Sequence, residues 1–498
     1  SHTLRIDRKR KVMQGEYENL KIQKKTEIEK NCEVICGLNL TADGSVTVLS
    51  ADARIGDNFT EIEQGGIVYG GVVTANCVFS GDGPERREAA TKFSFRLPVD
   101  ETIERAAVTY RINGAEVKEE GGMLSLRVTF VAVITYFVAE EENALVKIDA
   151  LTKKETATFD EVIFASGKTE VEDEFETKKI KKILSSSVRA YVTGAQCGQG
   201  VIIVDGSVAV SLVALFGGDY GEIERISRII PFRYELDCDG ADVSFSCYAH
   251  AVANKINVRV EVDEERDKSS VSLVAEVSVT GGAYKTENLE YVADAYSPTS
   301  DIAIERKEVA KQFFTGFYTG SERVGGKAEC AVPEYSRFLA VSGERVELTD
   351  VSYGTEIKVE GILRGDALFW DGENELKAAP FALPFAFDIP YDGAAHGFTV
   401  EIEDISCRLR NGRLEVDGTL KTCYYTTDEI IFPIIISVEA GEEKEEKSGV
   451  ICVYIGADGD TEWDVVKALG EDIEKLKELN PSLTFPLVGG EKIISYKK

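Results

Sequence analysis

The sequence predicts a mainly β protein: three tandem β-sandwich-like modules followed by a small βααβ domain. Two observations carry the β assignment. Apolar and polar residues alternate over many stretches, as in Val258, Val260 and Val262 against Arg259 and Glu261, or along Val271, Leu273, Ala275, Val277 and Val279. A period of two marks strands with one buried and one wet face. Asp-Gly and Asn-Gly pairs recur between such stretches, at Asp43-Gly44, Asn113-Gly114, Asp239-Gly240, Asp371-Gly372 and Asn411-Gly412. These dipeptides accept the positive φ of hairpin turns. A third observation, an internal repeat, supplies the module count.

Three copies of one pattern are visible. Gly71 leads an apolar strand to Phe79, with Phe95 sixteen residues on; Gly206 leads to Phe216, with Phe232 sixteen on; Gly361 leads to Phe369, with Phe385 sixteen on. Each copy continues into two further strands, around Val108 and Leu126, Val243 and Val260, and Val400 and Leu414. Three copies at a fixed spacing argue for one β module of roughly 110–150 residues used three times. Copy one departs by carrying Ser94-Phe95 where the others carry Pro-Phe, and copy two has a longer first run. The modules are placed at 15–165, 180–300 and 315–438. Mixed-charge text at 170–182 separates the first two. The segment 284–314, helical over Ile302 to Gln312 in this reading, separates the last two. An acidic linker at 439–449 reads as a solvated tether to a domain at 450–498.

Composition bounds the rest. At 498 residues the chain exceeds one core, and 43% hydrophobic content with 23 Phe and 19 Tyr supports packed domains. The net charge of −30 disfavours nucleic acid and anionic lipid, which need neutralisation by Lys and Arg. It favours a cationic protein partner, although acidity also simply keeps a protein soluble. No apolar run reaches the roughly 18–20 residues that span a bilayer. The start, Ser1-His2-Thr3-Leu4, has no apolar signal region, and Ser1-His2 reads as a cloning remnant. Arg8 to Lys11 is the one basic cluster. Ten cysteines, several within apolar runs (Cys77, Cys247, Cys407, Cys423), read as reduced core residues of a cytoplasmic chain. Cys32-x-x-x-Cys36 lacks a second pair, so no metal or other cofactor is expected.

The last 48 residues follow different rules. They carry Tyr454, Gly459-Asp460-Thr461, Trp463, Leu476-x-x-Leu479-Asn480-Pro481, Leu487-x-Gly489 and Ile493-Ile494. Thr461 with Asp464 three residues on forms a capping-box-like helix start, and Trp463, Val466 and Leu469 share a helical face. Asp472 can cap a second helix with Ile473, Leu476 and Leu479 inward, which Asn480-Pro481 stops. This order resembles a LysM module. Three β modules with the Gly-strand-Phe pattern followed by one such module resemble the SPOCS-LysM proteins of spore-forming bacteria. The resemblance implies a chain made in the mother cell and recruited to the forespore surface. There it would act as an adapter in spore-coat morphogenesis, with a basement-layer ATPase as partner.

No enzymatic site is expected. His250 lies in a strand-like run and reads as a hydrogen-bonded structural residue, while His396 reads as part of a solvated turn. Neither belongs to a Cys-His or nucleophile-elbow signature, and no phosphate loop of the G-x-x-x-x-G-K-[ST] kind exists. What the LysM resemblance implies instead is a groove between two loops, Gly459, Asp460, Thr461 and Glu462 on one side and Pro481, Ser482, Leu483 and Thr484 on the other. Its ligand is either a protein partner or an N-acetylglucosamine-containing glycan such as peptidoglycan. Thr461 and Asn480 also serve as helix caps, Trp463 also reads as core, and Glu462 stands where the family is apolar or small. A LysM-bearing phage-tail-like structural component is the remaining alternative.

Overall fold

The computed structural model describes residues 11–497 except 42–45, 82, 218–221, 334, 373–374, 392–393 and 445–448. The expected basic cluster (apart from Lys11), the Asp43-Gly44 turn and part of the acidic tether lie outside the described residues. Three six-stranded units follow one another. The first comprises β1 (Gly15–Thr41), β2 (Thr47–Glu63), β3 (Gly66–Ser80), β4 (Pro84–Pro98), β5 (Ile103–Glu120) and β6 (Met123–Ile148). The second comprises β7 (Leu151–Lys178), β8 (Ile180–Gly198), β9 (Val201–Phe216), β10 (Ile223–Asp237), β11 (Ser246–Asp263) and β12 (Lys268–Tyr296). The third comprises β13 (Ser300–Cys330), β14 (Arg337–Tyr353), β15 (Glu356–Trp370), β16 (Leu376–Pro390), β17 (Ala394–Arg410) and β18 (Arg413–Glu443).

The units pair their strands antiparallel in one common pattern, to which the third adds a short β13–β16 pairing at Glu329–Cys330 that joins its two sheets and a strand at Lys11–Val12 against β18. Strands one, six and five form one sheet, in the orders β1-β6-β5, β7-β12-β11 and β13-β18-β17. Strands two, three and four form the other: β2-β3-β4, β8-β9-β10 and β14-β15-β16. The inward residues of the two sheets meet in a core, as Val204, Val208 and Leu212 of β9 meet Val271, Leu273 and Val277 of β12. These are β-sandwiches. A bulge recurs in the second strand of each, at Leu49, Leu184 and Leu339.

The repeat has a physical cause at its glycines. Gly206 pairs with Phe232 and Gly361 with Phe385, and a Cβ on either glycine would come within 2.6 and 2.5 Å of the facing ring. Glycine here makes room for an aromatic ring. In the first unit the residue opposite Gly71 is Phe93, not the expected Phe95, which faces Tyr69. The constant sixteen-residue spacing is therefore accidental in copy one. Two other expectations also change. Val243 lies in a turn and is exposed, Val260 belonging to the fifth strand. Asn113-Gly114 lies inside β5 at a bulge, with no reversal.

The strands are longer than alternation suggested, and this redraws the boundaries. Residues 170–182 are not a separator: β7 runs through Lys178 and pairs with β12 throughout. Ile302 to Gln312 is not helical; it pairs with β18. The start of the acidic tether is likewise strand, with Glu443 opposite Ser300 and the Lys444 amide donating to Thr299 O at 2.8 Å. The extra length brings the units together. Leu145 and Ile148, Val292 and Ala295, and Ile435 and Val438 form one cluster with the same three-residue spacing from each last strand. A second junction gathers Leu20, Phe159, Tyr291, Val309 and Phe432. A third joins Leu49 and Val78, Leu184 and Val213, and Ala340 and Leu368 from the other sheets.

Candidate functional site

The candidate groove belongs to the C-terminal domain, β19 (Val450–Ile455), α1 (Glu462–Leu469), α2 (Ile473–Leu479) and β20 (Lys492–Lys497). The order is βααβ, with β19 antiparallel to β20. Local chemistry explains each boundary. Asp464 Oδ2 accepts from the Thr461 amide at 2.9 Å and the Thr461 hydroxyl at 2.6 Å, which holds the start of α1. Gly470, at φ 64°, ends α1 with its N–H on Val466 O. Asp472 caps α2 through the Glu474 amide at 2.8 Å. Asn480 then ties the end of α2 to β20. Its amide donates to Leu476 O and Ile494 O, and its carbonyl accepts from the Ile494 N–H. Val465, Val466, Leu469, Leu476, Leu487 and Ile493 make the core. Leu479, expected inward, is exposed, because α2 is short and its last turn passes the edge of that small core.

Both candidate loops are present, and their roles separate. Asp460 Oδ2 accepts from the Tyr454 hydroxyl at 2.6 Å and the Ala457 amide at 2.7 Å, so this carboxylate organises its own loop. The Gly459 N–H donates to Leu487 O and the Leu487 N–H to Asp460 O, each at 2.9 Å, which joins the first loop to the segment after the second. The Asp460 amide donates to Ala457 O and the Leu483 amide to Asn480 O. The amides of Gly459, Asp460, Thr461 and Leu483 are thus all engaged within the domain. Glu462 pairs with Lys477 at 3.2 Å, helix to helix. Leu483 packs partly against the core, whereas Pro481, Ser482 and Thr484 are exposed.

Trp463 is neither groove nor pure core. It is half-buried, and its indole N–H donates to Asp294 Oδ2 of β12 at 2.9 Å. Lys467 reaches the same oxygen at 2.6 Å, and Arg306 of β13 holds Oδ1 at 2.6 Å. Burial would raise the Asp294 carboxyl, but Lys467 and the indole N–H outweigh it and hold it below the usual range. Leu151 of β7 joins the domain core, and Tyr296 lies against Gly470. The βααβ domain is therefore clamped to the second unit, through an aspartate that the third unit's Arg306 also holds. Nothing in the sequence pointed to Asp294, an isolated acid in a long strand.

The histidines lie elsewhere and meet at a junction of all three units. His396 is in β17 opposite Tyr425, and not in a solvated turn. Its Nε2 is 2.8 Å from the Thr427 hydroxyl and its Nδ1 3.3 Å from Lys25 Nζ. His250 Nδ1 is 3.7 Å from Cys423 Sγ, while its Nε2 is buried without a partner. Burial raises the Cys423 thiol to about 12 and, helped by the nearby Lys25 charge, lowers both histidines to about 4. A nucleophilic pair needs the opposite, a thiol pushed toward thiolate. Among the described residues no cluster of three or more His, Cys, Asp or Glu is arranged to hold a metal ion.

No helix is long and apolar enough to cross a membrane among the described residues. Comparison with curated proteins finds no match, and comparison with solved structures finds none. Comparison with family models finds one: residues 179–261 match the SPOCS domain of SipL. That span runs from the start of β8 to near the end of β11, inside the second unit. The topology of the unit is repeated on either side of it. The second unit thus contains a segment similar to a SPOCS domain.

Proposed function

We propose that this protein is a non-enzymatic scaffold in spore-envelope assembly and that its βααβ domain, read as a LysM module, docks a protein partner. The SPOCS match supports the sporulation setting. The fusion of three sandwiches through shared apolar junctions supports a scaffold, since it yields one extended body with many surfaces. In the proteins it resembles, the partner is a basement-layer ATPase of the spore coat, and the chain is recruited from the mother cell to the forespore surface.

One observation carries the choice of protein over glycan. Recognition of N-acetyl groups in a LysM groove relies on free backbone amides, and here four of the seven N–H groups of the two loops, those of Gly459, Asp460, Thr461 and Leu483, are engaged internally. The loops also expose the side chains of Glu462, Ser482 and Thr484. The test is co-sedimentation of the full chain with peptidoglycan, beside capture of the coat ATPase, for wild type and a Ser482→Arg/Thr484→Arg variant. Capture that the variant abolishes, without sedimentation, is expected. Saturable sedimentation that the variant abolishes would replace this reading with a glycan anchor.

A further inference from the structure

In a chain of net charge −30, one cleft is basic. It opens between the first and second units and has a volume of about 650 Å³. Arg54 and Arg86 face it from the first unit, and Lys182, Lys255 and Arg259 from the second, with Glu88 as the acid among them. Arg54 and Arg86 both pair with Glu88, and Lys182 lies 3.5 Å from Glu85. Lys255 and Arg259 are exposed and form no ion pair within 4.0 Å among the described residues. Like charges left facing one opening cost free energy unless a counter-charge fills it.

The backbone adds a second feature. Lys255 to Arg259 belong to β11 and Lys182 to β8, the outer strands of their sheets, each hydrogen-bonded to a neighbour on one side only. The two outer strands lie side by side along this flank, and Asn254 O closes on Gly56 of the first unit, so the cleft presents side chains and not an open sheet edge. Between the cations the lining is apolar, from Ile183, Ile256 and Val258. Alternate residues of a strand share a face, so Lys255, Asn257 and Arg259 present two charges at a spacing that alternating acids on a bound strand can meet.

We propose that this cleft binds an acidic peptide segment in extended form, whose carboxylates meet Lys255, Arg259 and Arg54. The site is separate from the βααβ groove and stands whether or not that groove binds a protein. A cleft of this size suits a short segment, since ligand pockets of roughly 300–1,000 Å³ enclose most of a small ligand.

The experiment is fluorescence anisotropy of labelled hexaglutamate titrated with the full chain, with hexalysine and inorganic triphosphate as competitors. Saturable binding is expected, weakened by added salt and by about ten-fold or more in Lys255→Glu/Arg259→Glu. Triphosphate and hexalysine should not displace the peptide at comparable concentration. Both substituted residues are exposed, so an unchanged melting temperature is expected, and Arg54→Gln tests the site from the first unit. Failure to saturate, or equal binding by the variants, overturns the proposal. Displacement by triphosphate at equal or lower concentration also overturns it, in favour of a small-anion site.

Discussion

Two regions where the three units meet are built on opposite principles. At the ends of the long strands, Leu145, Val292 and Ile435 converge, each fully buried, with Ile148, Ala295 and Val438 beside them. Three similar apolar side chains can meet at one place, because burial is non-directional and each removes area from water regardless of its neighbours' identity. Around Glu344 the units meet through charge, and no copy repeats another. Glu344, almost wholly buried, lies 3.4 Å from Arg189 and 3.3 Å from Arg225, while Ser187 donates to it at 3.2 Å. Ser185 donates to Asp52 at 3.5 Å, and Ser50 to Ser342 at 3.2 Å. Carboxylates repeated at such a site would repel one another, as the nearby Asp52 carboxyl, raised by burial, is raised further by the Glu344 charge. Apolar contacts allow repetition; buried polar contacts force the copies to diverge.

Breaking the polar junction should have the largest effect. Burial alone would raise the Glu344 carboxyl, but Arg189 and Arg225 hold it below the ordinary range. Glu344→Gln leaves Arg189 without a counter-charge and Arg225 with Asp404 alone, and should destabilise the chain by about 3–5 kcal/mol, read as the shift in urea unfolding. If the loss stays below that of a surface Glu→Gln control, the junction is not held by this carboxylate. The apolar junction comes next. Ile435→Ala should cost about 2–5 kcal/mol through lost burial and a cavity, and Leu145→Ala, in contact with it, should not add independently. Full additivity in the double variant would mean that the two do not share a cluster.

A third comparison sets pH against the junction that His250 and His396 occupy. Their folded values of about 4 lie below the ordinary value near 6.5. The unfolded chain therefore takes up protons that the fold refuses, and their contribution is present above pH 6.5 and lost as pH falls towards 4. Asp52 and Asp366, raised by burial to about 6, and Glu401, raised by burial to about 7, act in the reverse sense. Their stabilisation is present in acid and lost as pH rises through 6 to 7. His250→Gln should reduce the acid-side loss by about 2 kcal/mol, discounted for the ring's partial exposure. The difference between wild-type and variant melting curves from pH 7 to 4 isolates it, and parallel curves would remove His250 from the account. The smallest expected effect is at the docked domain. Asp294→Asn weakens the hydrogen bonds to Trp463 and Lys467, worth about 1 kcal/mol, and should show as faster amide exchange in α1 with little change in global stability. Unchanged exchange would mean that Leu151 and Tyr296 suffice to hold the domain.

Much of this architecture is legible in residues. Alternation along Val271 to Val279 and at Val258 and Val260 gives strands whose inward side chains are those expected, whereas Val262, expected on the same face, is exposed near the strand end. Gly206 and Gly361 mark positions where a ring must lie over the backbone. In the βααβ domain the caps at Thr461, Asp472 and Asn480 are all used as the sequence suggests, because caps are local chemistry between residues two to four apart. The candidate loops are likewise found side by side, though Trp463 turns to Asp294 and Glu462 to Lys477.

The β class, the threefold repetition and the local start and stop of both helices are written in the residues, since all rest on short-range period, turn chemistry and capping. Long-range pairing, by contrast, sets where one unit ends and the next begins. Glu170 to Lys178 and Ile302 to Gln312 look like solvated text because one face of each strand is wet, and their partners lie about a hundred residues away in β12 and β18. Assembly of the units likewise selects which polar residues are buried. Glu344, Asp294 and His250 have nothing in their neighbouring sequence to distinguish them; each acquires its environment from another unit, and burial is a property of that assembly.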